Sequence, residues 1–177
     1  EAIETLRRDN LLPAIFFIFS RVGCEQAVEQ VSRDGISLTT ADERREIRRY
    51  VEERIYMLPD EDLAVLGYWS WRENLERGIA AHHAGMLPAF KEVVEELFQR
   101  KLIKVVFATE TLALGINMPA RTVVLEKLEK FNGEARVPIT SGEYTQLTGR
   151  AGRRGIDVEG HSVVVWNEGM DVEAVLP

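Results

Sequence analysis

Apolar positions along this chain switch between two periods. From Ala14 to Phe19 the run AIFFIF is uninterrupted and bounded by Pro13 and Ser20, the pattern of a short strand buried on both faces. Directly after it, Cys24, Ala27, Val28 and Val31 recur at helical spacing, so a strand feeds a helix as at the opening of a βαβ unit. Apolar runs at Gly78 to Ala81, Val105 to Ala108, Val123 to Leu125 and His161 to Trp166 predict further strands. Between Ala81 and Val105 lies LPAFKEVVEELFQRK, where Phe90, Val93, Val94, Leu97 and Phe98 follow the i, i+3, i+4, i+7, i+8 stripe of an amphipathic helix. Strands alternating with such helices predict an α/β fold: an open, mainly parallel sheet flanked by helices, with its ligand crevice at the carboxyl ends of the strands.

The interval from Ser32 to Arg77 is too long for a simple connection and reads as a helical insertion over residues 32–77. Thr40 and Glu43 have capping-box spacing ahead of ADERREIRRYVEERIYML, in which Ile47, Val51, Ile55 and Leu58 repeat every three or four residues. A less regular segment follows Pro59, with Leu63, Leu66, Trp69 and Leu75 as expected buried anchors. Asn132-Gly133 is a turn signal between short extended pieces and predicts a small hairpin. Thr140 and Glu143 repeat the capping-box spacing and start one more helix.

Composition narrows the class. The 177 residues suit one domain, 1–177, and 45% hydrophobic with 29% charged residues suits a soluble globular chain without a membrane span or signal peptide. The opening EAIETLRRDN lacks Met and starts mid-pattern, as an internal piece of a longer protein would. The single cysteine, Cys24, excludes an intrachain disulfide and fits a reducing, cytoplasmic setting, most simply as a small packing residue. A net charge of −7 argues against a broad nucleic-acid surface but leaves room for a narrow track of local donors.

The chemistry concentrates in Gln146 to Gly155, QLTGRAGRRG. If the helix continues through it, Gln146, Arg150 and Arg153 share one face, with Tyr144, Leu147 and Ala151 opposite. Two aligned guanidiniums suit a phosphate group, since each offers a planar fork of donors and is always charged. A pair of arginines alone could equally be a solvated basic helix end. Gly149, Gly152 and Gly155 oppose a long helix, so it should end within the motif. In VVFATETLALGINMPARTVV an apolar strand ends at Thr109, where a hydroxyl and the following amides could meet a phosphate; Gly115 permits a tight return and Asn117 can hydrogen-bond beyond it. Adjacent His82 and His83 invite a metal reading, but on a strand they point to opposite faces and companion ligands are missing, so no metal site is expected.

The string QLTGRAGRRG resembles motif VI of the Ski-like DExH helicases of superfamily two, ATETLALGINMPA resembles their motif V, FIFSR (Phe17 to Arg21) their motif IV, and HHAG (His82 to Gly85) their motif IVa. The likeness spans about Asn10 to Trp166 in family order, and AAHHAGMLPAFKEVVEELF is similar to the actinobacterial HelY-type members. It implies the second RecA-like domain of an ATP-dependent helicase. Gly115, Asn117, Gln146, Arg150 and Arg153 would then face ATP, with Gln146, Arg150 and Arg153 catalytic. Ser20, Arg21, His83, Gly85 and Thr109 would track single-stranded nucleic acid, RNA favoured over DNA. No GxxxxGK[ST] loop or DExH box is present. The family carries both on the preceding RecA-like domain, which would hold most of the Mg²⁺ contacts and lie with following domains in the same chain. The rival readings are a DNA-unwinding repair helicase and a non-catalytic nucleic-acid-binding scaffold.

Overall fold

The computed structural model describes residues 1–109, 118–125, 129–131, 134–149, 151–152 and 159–164. Helix α1 (Ala2–Arg8) precedes β1 (Ala14–Phe17) and α2 (Arg21–Arg33); α3 (Ala41–Ile55), α4 (Asp60–Val65) and α5 (Tyr68–Glu76) follow, then β2 (Ile79–His82), α6 (Pro88–Gln99) and β3 (Val105–Ala108). The chain continues through β4 (Thr122–Leu125), β5 (Glu129–Phe131), β6 (Arg136–Pro138), α7 (Ser141–Thr148) and β7 (His161–Val164). The main sheet has the order β2-β3-β1-β4-β7, and every pairing in it is parallel.

Alternation along these four-residue strands builds two cores. Ile15, Phe17, Ala80, Val106, Ala108, Val123 and Leu125 face a cluster with residues of α3, α5, α6 and α7, whereas Ala14, Phe16, Ile79, Ala81, Val105, Phe107 and Val124 face residues of α1 and α2. A strand covered on both faces is apolar almost throughout, and the buried polar exceptions, His82 and Thr122, stand at strand ends with their own partners, Glu95 Oε1 and Leu11 O. Each fully buried Val, Leu, Ile or Phe contributes about 1.5–3 kcal/mol, so the double cover is the main source of stability. The arrangement is an open parallel α/β sheet, as the order of elements predicts, and it is the RecA-like fold that the resemblance implies.

Strand boundaries move where the backbone needs another conformation. The first strand ends at Phe17, not Phe19, because Ser20 caps α2, its hydroxyl accepting the Gly23 N–H at 3.0 Å. Gly78 lies outside β2 at φ 84, in the left-handed region that no strand residue occupies. The last predicted run is described as strand over His161–Val164, and Val165 and Trp166 lie outside the described residues.

Between α2 and β2 the chain forms α3, α4 and α5, which pack into the larger core. The capping box of α3 forms as its spacing predicts, and Ile47, Tyr50, Val51 and Ile55 are buried. Burial pushes the Glu43 carboxyl up, but hydrogen bonds from Lys104 and Thr40 outweigh it and hold the group below its usual range. Of the expected anchors, Leu63 and Leu75 are buried, but Leu66 is 39% and Trp69 57% exposed. The reason is Gly67, at φ 68, which ends one helix and restarts the next so that Tyr68 takes the core position. Trp69 instead packs edge-on against Tyr68 at 4.9 Å, and Trp71 stacks on Phe90 at 4.1 Å.

Strands β5 and β6 pair antiparallel from Glu129↔Pro138 to Phe131↔Arg136, the predicted hairpin; Asn132 and Gly133 themselves lie outside the described residues. The capping box of α7 also forms. Among the described residues no helix is long and apolar enough to cross a membrane.

Candidate nucleic-acid interface

The sheet order brings the loops after β1, β3 and β2 side by side. Phe17, Ala108 and His82 are register partners across the three strands, so the residues that follow them are neighbours. The Ile18 N–H donates to Ala108 O at 2.8 Å and the Thr109 N–H to His82 O at 3.3 Å, tying the loops together one residue beyond the strands. Arg21 opens α2 on this edge, and a Cβ added to Gly85 would lie 3.5 Å from its Cδ. Ser20, Arg21, His83, Gly85 and Thr109, scattered over ninety residues of sequence, thus share the carboxyl end of three adjacent strands. Ser20, Arg21 and Gly85 are exposed, whereas His83 and Thr109 are buried at 7% and 6%.

The two histidines separate as neighbours at a strand end should. His82 Nε2 lies 2.8 Å from Glu95 Oε1 of α6, and His83 Nε2 lies 2.7 Å from Glu25 Oε1 of α2, on the other side of the sheet. Each ring is committed to its own carboxylate. Burial pushes the His82 imidazole below its ordinary value, while the Glu95 hydrogen bond and charge pull it back only in part. A lowered histidine pKa means that the unfolded chain binds the proton first as pH falls. The His82 contribution is therefore complete above the ordinary value of about 6.5 and is lost as pH drops below it through the folded value. The advantage in melting temperature of wild type over His82→Gln is expected to shrink on acidification across that window; a difference that stays constant or grows would contradict this sign.

Gln146 belongs to a second place. It is exposed on α7, whose Leu147 is buried and whose Tyr144 packs against the core beside Ala151, the division of sides that the sequence pattern predicts. The helix ends at Thr148, however, with Gly149 as its cap. Ala151 already forms a parallel bridge with Ala120, and Gly152 sits at φ 85 with its N–H on Ala120 O at 2.7 Å. The helix that carries Gln146 therefore ends within the glycine-rich motif, as its glycines predict, and Ala151 is bridged to Ala120 just ahead of β4. That bridge lies at the amino end of β4, away from the carboxyl ends of β1, β2 and β3 that carry Ser20, Arg21, His83, Gly85 and Thr109. Gly115, Asn117, Arg150 and Arg153 lie outside the described residues.

Two residues of this region escape a reading of motifs. Glu25 holds the His83 ring, and its signal was position: it stands four residues after Arg21 on the same helix face. Gly160 lies against Ala151 and Gly152 so closely that an added Cβ would sit 2.6 Å from the Ala151 carbonyl carbon and oxygen. Nothing local marks that crossing.

Comparison with known proteins identifies similarity over nearly the whole chain. Residues 54–155 match the helicase conserved C-terminal domain family. The chain is 64% identical over 171 residues to "Probable helicase HelY" of Mycobacterium leprae, covering 97% of this chain and 19% of that protein. It is 50% identical over 160 residues to a chloroplastic DExH-box ATP-dependent RNA helicase of Arabidopsis thaliana, covering 90% and 13%. It is 42% identical over 165 residues to the antiviral helicase SKI2 of Saccharomyces cerevisiae, covering 93% and 13%. The chain thus spans about a fifth or less of the length of the curated relatives it matches.

Proposed function

Because this chain belongs to the helicase conserved C-terminal domain family, in its Ski-like form, we propose that it is the second motor domain of an ATP-dependent RNA helicase acting in the cytosol. The observation that carries this reading is the convergence of Ser20, Arg21, the Ala84–Gly85 turn and Thr109 at the carboxyl end of β1, β2 and β3. Exposed Ser20, Arg21 and Gly85 with the buried Thr109 behind them, at the carboxyl ends of adjacent strands in a chain whose net charge is −7, fit a narrow grip on one strand and not a broad basic surface. RNA is favoured over DNA because relatives carry the name RNA helicase.

ATP, accompanied by Mg²⁺ held mainly by the preceding RecA-like domain, would bind between that domain and this one. Gln146, exposed one turn from the end of a helix anchored by Leu147, would touch the γ-phosphate. Arg150 and Arg153 would stabilise charge that develops as the phosphoryl group transfers, with Gly115 and Asn117 beside the nucleotide. The chain by itself supplies half of that site. Following domains of the same polypeptide would complete the enclosure of the strand, and closure on ATP would shift the gripping loops along it.

In the full-length polypeptide, Arg21→Ala is expected to weaken binding of a fluorescently labelled oligouridylate roughly tenfold, the scale of a hydrogen bond to a charged group. The slope of log Kd against log salt should fall by about one, since one phosphate contact is lost. Thr109→Ala should weaken the strand by about fivefold with little change in the KM for ATP. Unchanged affinity and salt slope in both variants would remove this edge from the strand path, and a preference for oligodeoxythymidylate over oligouridylate would favour a DNA-unwinding enzyme.

A further inference from the structure

Both nitrogens of the His83 ring are engaged inside the protein. A backbone amide can only donate, so the 3.1 Å contact from the Gly85 N–H requires His83 Nδ1 to be the unprotonated acceptor. The proton of the neutral ring then sits on Nε2, which donates it to Glu25 Oε1 at 2.7 Å. The His83 side chain is 8% exposed and the Glu25 carboxylate 59%, so the pair is fixed at one end and open to solvent at the other. The Met86 N–H closes a turn onto His83 O at 3.2 Å, leaving Ala84 and Gly85 exposed at its tip. Gly85 has little room for a side chain, since a Cβ would lie 3.1 Å from Nδ1 and 3.2 Å from Cε1 of the ring. Arg21 Cδ would lie 3.5 Å from the same Cβ, and Arg21 is on the same face of α2 as Glu25.

Resting on the strand-path reading above, we propose that Glu25 sets the His83 tautomer and that His83 in turn holds the Ala84–Gly85 turn beside Arg21. His83 thereby serves the strand as a positioning residue, while the turn and Arg21 meet the phosphates. With its single ring proton committed to Glu25, His83 has no donor left for a phosphate oxygen. The carboxylate, whose own charge would repel a strand, contributes by its hydrogen bond.

The test uses the full-length polypeptide, anisotropy titrations with labelled oligouridylate over a salt series, and thermal melts of each variant. In His83→Asn the short side chain can place an acceptor near the Nδ1 position, whereas in His83→Gln the longer one reaches only toward Nε2. His83→Asn is expected to bind within about twofold of wild type and His83→Gln about fivefold more weakly, the scale of one hydrogen bond. The salt slope of His83→Gln should match wild type, because no phosphate contact is removed. Glu25→Gln and Glu25→Ala lose the same charge, so the difference between them isolates the hydrogen bond. Glu25→Gln should bind at least as tightly as wild type and Glu25→Ala several-fold more weakly than Glu25→Gln, a comparison that stands even if His83→Gln does not fold. Wild-type binding by His83→Gln, equal binding by Glu25→Gln and Glu25→Ala, equal weakness in His83→Asn and His83→Gln, or a reduced salt slope in His83→Gln would overturn the positioning role. Arg21→Ala separates the two levels: if it weakens binding while His83→Gln does not, only this inference fails. If Arg21→Ala also binds as wild type, the strand path fails and the positioning role with it.

Discussion

Replacing Arg150 or Arg153 with alanine in the full-length polypeptide is expected to lower the kcat of strand-stimulated ATP hydrolysis by up to about 10³-fold. Phosphoryl transfer needs little covalent chemistry from the protein; most of the acceleration comes from placing charge where it develops. A guanidinium is always protonated and presents its donors in a planar fork, so Arg→Lys at either position should restore little activity. The fold should tolerate these changes, since the described residues that anchor this region in the core are Ile139, Tyr144, Leu147 and Ala151. Steady-state ATPase at saturating oligouridylate, with thermal melts alongside, measures both quantities. Near-wild-type kcat in both alanine variants would reduce the motif to a structural turn and remove the proposed charge-stabilising role.

Gly160→Ala is expected to cost about 10²-fold in kcat, the scale of an ångström-level misplacement of catalytic groups, although Gly160 bears no side chain and no chemistry. Its added Cβ would meet backbone on every near side: the carbonyl carbon and oxygen of Ala151 at 2.6 Å and the amide nitrogen of Gly152 at 2.7 Å. No rotamer change can relieve such a contact. The other side of that segment is also held, by the Ala120↔Ala151 bridge and the Gly152 N–H on Ala120 O, so it must shift between two fixed neighbours. The segment immediately flanks Arg150 and Arg153, and overpacking should lower stability by about 1–3 kcal/mol while the rest of the sheet survives. Gly142→Ala is the control, because among the described residues its Cβ would find only Thr140 Oγ1, at 3.8 Å, within the first turn of α7. That variant should keep full activity and gain slightly in helix propensity. A folded Gly160→Ala enzyme with wild-type kcat would show that this crossing does not position the motif.

Much of the fold was legible because its signals are local. The apolar stripe of Phe90, Val93, Val94, Leu97 and Phe98 lies wholly within α6, and all five residues are buried. Both capping boxes, Thr40 with Glu43 and Thr140 with Glu143, form where three-residue spacing places them. Continuous apolar runs marked the doubly covered strands, and their alternation with helices identified the parallel sheet. Ser20, Arg21, His83, Gly85 and Thr109, the residues proposed for the strand path, could be nominated as motif positions at the ends of those runs, again from neighbours in sequence.

What sequence by itself determined, then, was the kind and order of elements, since helical period, strand period and caps are properties of a few consecutive residues acting on their own backbone. Tertiary structure decided which residues meet. A helix restarted at Gly67 moved the core position from Trp69 to Tyr68, and a bridge to Ala120 holds Ala151 just beyond the end of α7. The order β2-β3-β1 brought Glu25 to His83 across 58 residues and set Arg21 beside Gly85, and a backbone crossing placed Gly160 on Ala151. Such contacts depend on how loops from distant strands are brought side by side, and no window of consecutive residues contains that information.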